Sequence, residues 1–221
     1  MPDKAKFEKL TTLVIDKLEG GYYHPNMLID GRVKDNRYSG SGETMFGIDR
    51  LKGGTINTTQ SGIKFWNLID QANAANKWTW NYFGGSLKPA LQKLAAGMII
   101  TLYNSYVKLY LKSPALIKII ENDDRLLFNF IYATWNGAGW FRKFATDIFD
   151  AYKKGVTNPN DLYKVVIRSR TNEGLKKGSQ PNSLIAQGGA KIAKLFADYK
   201  PTNIPVGILI IIALATYFTL K

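Results

Sequence analysis

Cysteine is absent from the 221 residues, which excludes disulfides and thiolate metal sites. Histidine occurs once, at His24. A multi-histidine metal centre is therefore impossible, and a histidine-based triad would have to be built around that one ring. Acids are scarce: 17 Asp and Glu stand against 30 Lys and Arg, a formal net charge of +13. Such a surface is drawn to polyanions (nucleic acid, anionic lipid or an acidic cell wall), and charge alone does not choose among them. There is no internal repeat and no long low-complexity segment. With 45% hydrophobic residues, the chain is ordinary for a folded protein, and disorder over most of its length is not expected. The length suits one well-buried domain with room for an appendage. The opening "MPDKAKFEKLTTLVIDKLEGG" carries acids, and it lacks a long apolar core and a small-residue cleavage site. It does not read as a signal peptide.

One stretch lacks charge altogether. From Ile204 through Leu220 there are 17 residues with none, near the lower limit of about 17–25 needed to cross a bilayer as a helix. Pro205 and Gly207 lie at its start, Tyr217 near its end, and Lys200 and Lys221 flank it. The pattern predicts a single transmembrane anchor. A buried C-terminal core helix is the alternative, and the unbroken Ile/Leu run without a polar stripe argues against it. The expected organisation is a folded domain over residues 1–200, then a linker and anchor over 201–221.

Within the domain, Phe7, Leu10, Leu13, Val14 and Leu18 recur at helical spacing, predicting a helix over residues 4–18 that Gly20 and Gly21 stop. From Tyr22 to Thr59 the texture turns to Gly, Asn, Asp and Ser, which fits short hairpins and loops. Helical patterns return over residues 61–80 and 88–113, the second with Pro89 in its first turn. Residues 123–155 read as two helices broken at Gly137-Ala138-Gly139. Residues 158–174 open with Asn158 as cap and Pro159 in the first helical position. Residues 182–200 read as the last helix before the apolar run. The predicted class is α+β, mainly α, with a small β-hairpin insert.

The chemistry centres on "LEGGYY", Leu18 to Tyr23. A carboxylate at the end of a helix faces the negative end of the macrodipole, and burial among aromatics would raise its pKa further. A carboxyl kept protonated near neutral pH is what a general acid requires, and glycosidases use one to protonate the leaving oxygen. The plain alternative for Glu19 is an exposed, functionless helix end. Farther on, "SGSGETMFGID" holds Gly40, Gly42, Glu43, Thr44, Gly47 and Ile48; its glycines permit tight turns and close approach of a ligand. The Thr44 hydroxyl could position a water. "YATWNGAGW" places Asn136 and two glycines at a helix break beside Trp135 and Trp140, a mix of amide and aromatic groups suited to a sugar cleft.

In this order the three segments resemble the lysozyme superfamily, most closely the N-acetylmuramidases of glycoside hydrolase family 108. The resemblance covers roughly residues 5–175. The family carries a Glu-Gly-Gly-aromatic motif after its first helix, matched by Glu19-Gly20-Gly21-Tyr22. A glycine-rich hairpin ending in Thr-x-x-Gly-Ile follows, matched by Thr44 to Ile48. A later Asn-x-Gly-like element is similar to Trp135–Gly139. The resemblance implies a lysozyme-like fold and Glu19 as catalytic acid, with Thr44 beside it and Tyr22, Glu43, Gly47 and Asn136 toward the substrate. It also implies that the long helix bearing Tyr103 and Tyr106 lines the cleft floor, one of the two touching substrate; core packing is the alternative for both.

This chain departs from the family in the hairpin. The insert is longer, and Tyr38-Ser39 stands where an Asp usually precedes the glycines. The second carboxylate is then Asp35, Asp30, Glu43 or none. With none, a single-acid lytic transglycosylase mechanism applies, in which the sugar's own groups replace the second carboxylate and the water. Asp30 and Asp35 also fit ordinary turn chemistry. His24 reads as a surface loop residue, Trp66, Trp78 and Trp80 as core, and Arg168 and Arg170 as a solvated basic face. The expected activity is cleavage of peptidoglycan between N-acetylmuramic acid and N-acetylglucosamine, without cofactor or metal and with no nucleic-acid partner. The alternative is a non-catalytic, membrane-anchored wall-binding protein. With no export signal and a C-terminal span, the expected location is the internal membrane of a phage particle, or else the host inner membrane. A tethered endolysin and a bacterial muramidase that aids protein export are the other possibilities.

Overall fold

A computed structural model describes residues 1–19, 22–23, 28–29, 32–33, 43–51, 53–76, 86–176 and 191–197. The first helix, α1 (Lys4–Lys17), starts where the Asp3 carboxylate accepts from the Lys6 N–H at 2.7 Å, which satisfies one of the helix's orphan donors. It buries Phe7, Leu10, Thr11, Val14 and Ile15. Its last turn widens: the N–H groups of Leu18 and Glu19 both reach the Val14 carbonyl, at 2.9 and 3.1 Å. Glu19 is thereby fixed by the helix body.

Five two-residue strands follow: β1 (Tyr22–Tyr23), β2 (Leu28–Ile29), β3 (Arg32–Val33), β4 (Thr44–Met45) and β5 (Ile48–Asp49). β2 and β3 form one antiparallel hairpin. β4 lies between β1 and β5, with Tyr22 opposite Met45 and Met45 opposite Ile48. The β4–β5 hairpin turns on Phe46 and Gly47 alone, both at positive φ, 54° and 73°. Two positive φ values are what the two-residue type I′ turn requires. Arg50 fastens this hairpin to α2 (Gln60–Asn76). Its guanidinium donates to Glu43 at 2.5 Å and in a fork to Asp70 at 2.6 and 2.7 Å. It also stacks 5.1 Å over Trp66.

The remaining helices are α3 (Lys88–Tyr110), α4 (Pro114–Asn122), α5 (Asp124–Trp135), α6 (Ala138–Lys153) and α7 (Pro159–Lys176). α5 is the hub and packs against α1, α3, α4, α6 and α7. Its residues from Arg125 to Ile131 are all buried, so it is apolar nearly all round, as a central helix must be. Asp123 caps it by accepting from the N–H groups of Arg125 and Leu126. Gly137, at φ 103°, breaks the chain between α5 and α6, where two helices are expected to part. Asn158 caps α7 through Asn160 N–H at 2.9 Å, with Pro159 in the first position as the sequence predicts.

The mainly helical α+β class with a small β insert is thus present. One expectation changes. The helix predicted over residues 88–113 ends at Tyr110, and the chain restarts as α4. There the Ser113 hydroxyl accepts from Leu116 N–H at 3.3 Å, and Pro114 pre-sets the first turn. The helix predicted over 61–80 is present as α2 as far as Asn76, and residues 77–80 lie outside the described residues. Residues 191–195 are helical, and Phe196 packs against Phe128 with ring centroids 5.3 Å apart. The predicted span over 204–220 and the tryptophans Trp78 and Trp80 lie outside the described residues. Among those described, no helix is long and apolar enough to cross a membrane.

Candidate functional site

Three chain segments distant in sequence meet at Glu19. The end of α1 delivers its carboxyl to the tip of the β4–β5 hairpin. A Cβ built on Gly47 would fall 2.2 Å from Glu19 Oε2 and 3.3 Å from Trp135 Nε1. Only glycine lets the hairpin come this close, and only glycine adopts its φ of 73° without strain. Trp135, at the end of α5, donates its indole N–H to the Phe46 carbonyl at 3.0 Å. The hairpin tip is thus clamped between two helix ends. Phe46 is the only non-glycine residue at positive φ among the described residues, a conformation that persists only where the surroundings enforce it.

Burial pushes the Glu19 carboxyl up from the usual 4.5 to about 7, and the nearby Arg170 charge opposes that rise. The side chain is partly exposed, and Gly47 beside it is exposed, so the acid is desolvated without being sealed away. A carboxyl with this pKa, reachable from solvent, can hold a proton at neutral pH and give it to a bound group.

Arg170, which the sequence assigns to a solvated face, is only 3% exposed. The correction has a plain cause. Leu162 and Val166 mark the buried stripe of α7, and Arg170 lies one turn farther along it. Its guanidinium sits 4.3 Å from the Tyr132 ring, 5.2 Å from Trp140 and 5.2 Å from Phe144. Burial pulls its pKa down to about 10, while Tyr132 and Glu19 work to hold the charge. Tyr132 is raised by burial and then by Glu19. Arg168, by contrast, is exposed as expected. The "RSR" spacing alone misses Arg170; the Leu162–Val166 stripe is the signal that finds it.

Other predicted residues divide. Thr44 stands in β4, partly exposed, paired with Tyr23 and Asp49. Tyr22 pairs with Met45 through its backbone. Asn136 is exposed at the end of α5, next to Trp135, and its side-chain amide donates to the Tyr132 carbonyl at 2.7 Å. Tyr106 is partly buried against Phe141 and Tyr110, with centroids at 5.4 and 6.0 Å. Two expectations are corrected. Tyr103 is 0% exposed, its ring between Phe7 and Phe141 at 5.4 and 5.9 Å; it packs the core and offers no surface to a substrate. Glu43 is 7% exposed and ion-paired with Arg50, so it fastens the hairpin. Trp66 is buried, in keeping with a core role. Asp30, Asp35 and His24 lie outside the described residues. Among the described residues, no group of three or more potential metal ligands comes together.

Comparison with protein-family models, with curated proteins and with solved structures finds no match to this chain.

Proposed function

We propose that the chain cleaves the β-1,4 bond between N-acetylmuramic acid and N-acetylglucosamine in bacterial peptidoglycan, with Glu19 as general acid. The observation that carries this reading is the Glu19 carboxyl, held at a pKa of about 7 against the exposed glycine of a hairpin tip. The Glu19 O–H bond breaks, its proton joins the glycosidic oxygen, and the electron pair stays on the carboxylate. The bond from the sugar's anomeric carbon to that oxygen then breaks, leaving an oxocarbenium-like sugar.

Two routes finish the reaction. In hydrolysis a second carboxylate stabilises the sugar cation or activates water. Asp35 is the first choice and Asp30 the second, since Glu43 is taken by Arg50. In the single-acid route the sugar's own 6-hydroxyl closes on the anomeric carbon as its O–H bond breaks and the proton returns to the Glu19 carboxylate, which leaves an anhydro end. The engagement of Glu43 favours keeping this route open, and mass analysis of the released fragments separates the two. The resemblance of the "EGGY", "TMFGI" and "WNGAG" segments to glycoside hydrolase family 108 supports the substrate class. On this reading the run 204–220 anchors the enzyme in a membrane, most simply the internal membrane of a phage particle. Mass spectrometry of purified virions tests that location, and absence from particles that retain their membrane counts against it.

The decisive experiment is Glu19→Gln assayed on purified cell walls. Loss of a general acid lowers the rate by about 10²–10⁴-fold, with the circular dichroism spectrum unchanged. Unaltered clearing by the variant would sink the assignment. A wild type that binds walls but never clears them identifies the non-catalytic wall-binding alternative.

A further inference from the structure

We propose that Arg170 is the positioning residue for Glu19: a buried cation in an aromatic box, placed to face the carboxylate that Glu19 becomes when it gives up its proton. The proposal rests on the glycan-cleaving reading above. Its geometric basis is the environment of the guanidinium and its place beside the acid: Tyr132, which it contacts, stands three residues before Trp135 on α5, and the Trp135 indole nitrogen and Glu19 Oε2 both border the Gly47 position. The rings of Tyr132, Trp140 and Phe144 surround it at 4.3–5.2 Å, presenting faces that attract a cation where water is excluded. Its Nε and Nη2 are buried with no hydrogen-bond partner. A buried guanidinium with unused donors is costly unless an anion meets it. Among the described residues, the titratable groups acting on Glu19 and Arg170 are each other and Tyr132. From the elements packed around them, the hairpin tip brings the uncharged Phe46 and Gly47, α5 brings Tyr132 and Trp135, and α6 brings the rings of Trp140 and Phe144.

The arrangement behaves differently before and after proton transfer. With Glu19 protonated, Arg170 faces a neutral group and its charge is unmatched. As the Glu19 O–H bond breaks and the proton moves to the glycosidic oxygen, negative charge develops on the carboxylate beside a cation already in place. The attraction is therefore stronger in the transition state than in the ground state, which is the condition for accelerating a step. Burial works in the other direction and keeps the resting acid protonated in spite of the cation. A planar guanidinium suits a box of ring faces better than a compact, strongly hydrated ammonium.

The test uses full-length Arg170→Met and Arg170→Gln, with Arg170→Lys as the charge-keeping control. Two readouts are taken. One is the ¹³C-carboxyl NMR titration of Glu19, assigned by its disappearance in Glu19→Gln. The other is the pH profile of kcat on purified peptidoglycan. Removing the cation should raise the Glu19 titration by at least about half a pH unit, move the alkaline limb of kcat with it, and lower kcat about 10–100-fold at little change in KM. Arg170→Lys should hold the titration near the wild-type value. A merely structural role would lower activity without moving either titration. Whichever of the Met and Gln variants keeps the wild-type near-ultraviolet dichroism carries the test. An unmoved titration in that variant, with a wild type that cuts walls, overturns the role of Arg170 alone. A wild type that never cuts walls overturns the functional reading, and the catalytic role with it, even where the titration moves.

Discussion

Glu19 binds its proton more tightly in the folded chain, near pH 7, than a free glutamate does near 4.5. A group whose pKa rises on folding contributes stability that is complete below the unfolded value and is lost as pH climbs through the folded one. The wild type should therefore lose about 3 kcal/mol between pH 4.5 and pH 8 from this residue, at 1.36 kcal/mol per pH unit. Glu19→Gln has no such proton to lose. Chemical denaturation of both proteins across that range should show the difference moving toward the variant by about that amount as pH rises. A constant difference would mean that Glu19 is not desolvated. A difference that moves as expected would make the proposed general acid a residue that weakens the fold at working pH, a common cost of function. The sequence points to both the helix end and burial as causes of the shift, and burial is the one the structure shows. The dipole is visible in a single segment; burial depends on the hairpin and on α5.

At the scale of elements, the site depends on how closely the β4–β5 hairpin approaches the end of α1. Gly47 and Gly54 separate closeness from backbone strain. Both have positive φ, 73° and 57°, but a Cβ on Gly47 would strike Glu19, while one on Gly54 meets nothing within 4 Å. Gly47→Ala and Gly54→Ala should each lower stability by about 1–2 kcal/mol from the left-handed backbone. Only Gly47→Ala should displace the carboxyl and reduce wall clearing, by at least about 10-fold. Thermal melts and turbidity assays check both halves, and equal activity of the two variants would remove Gly47 from the site. This junction was partly legible. The Glu-Gly-Gly-aromatic and Thr-x-x-Gly-Ile segments point to it, because turn glycines and helix ends leave local signatures. Tyr103 and Glu43 could not be placed in the same way. Whether a tyrosine on a long helix meets solvent or core is settled by α1 and α6, and whether an acid faces a cleft or an arginine is settled by Arg50. α4 is a nine-residue helix whose Ser113-Pro114 cap signal was present but was absorbed into the neighbouring pattern.

At the scale of the molecule, the site and the surface should respond differently to salt. The net charge is +13, most lysines and arginines among the described residues are exposed, and the reach of that charge in solution is set by the ions around it. The Debye length falls from about 10 Å at 0.1 M to about 3 Å at 1 M. Attraction to a wall bearing anionic polymers should collapse over that range, and with it the encounter rate. Arg170 is buried among its rings and Glu19 is partly buried, and charges so placed are screened much less. Raising salt from 0.1 to 1 M should therefore slow clearing of intact walls and raise apparent KM. It should leave kcat, and its alkaline limb, nearly unchanged on short glycan fragments freed of the anionic wall polymers. Paired assays on the two substrates make the comparison. If the fragments lose as much rate as the walls, the charge that matters lies in the site. If neither loses rate, the basic surface has no part in finding the wall.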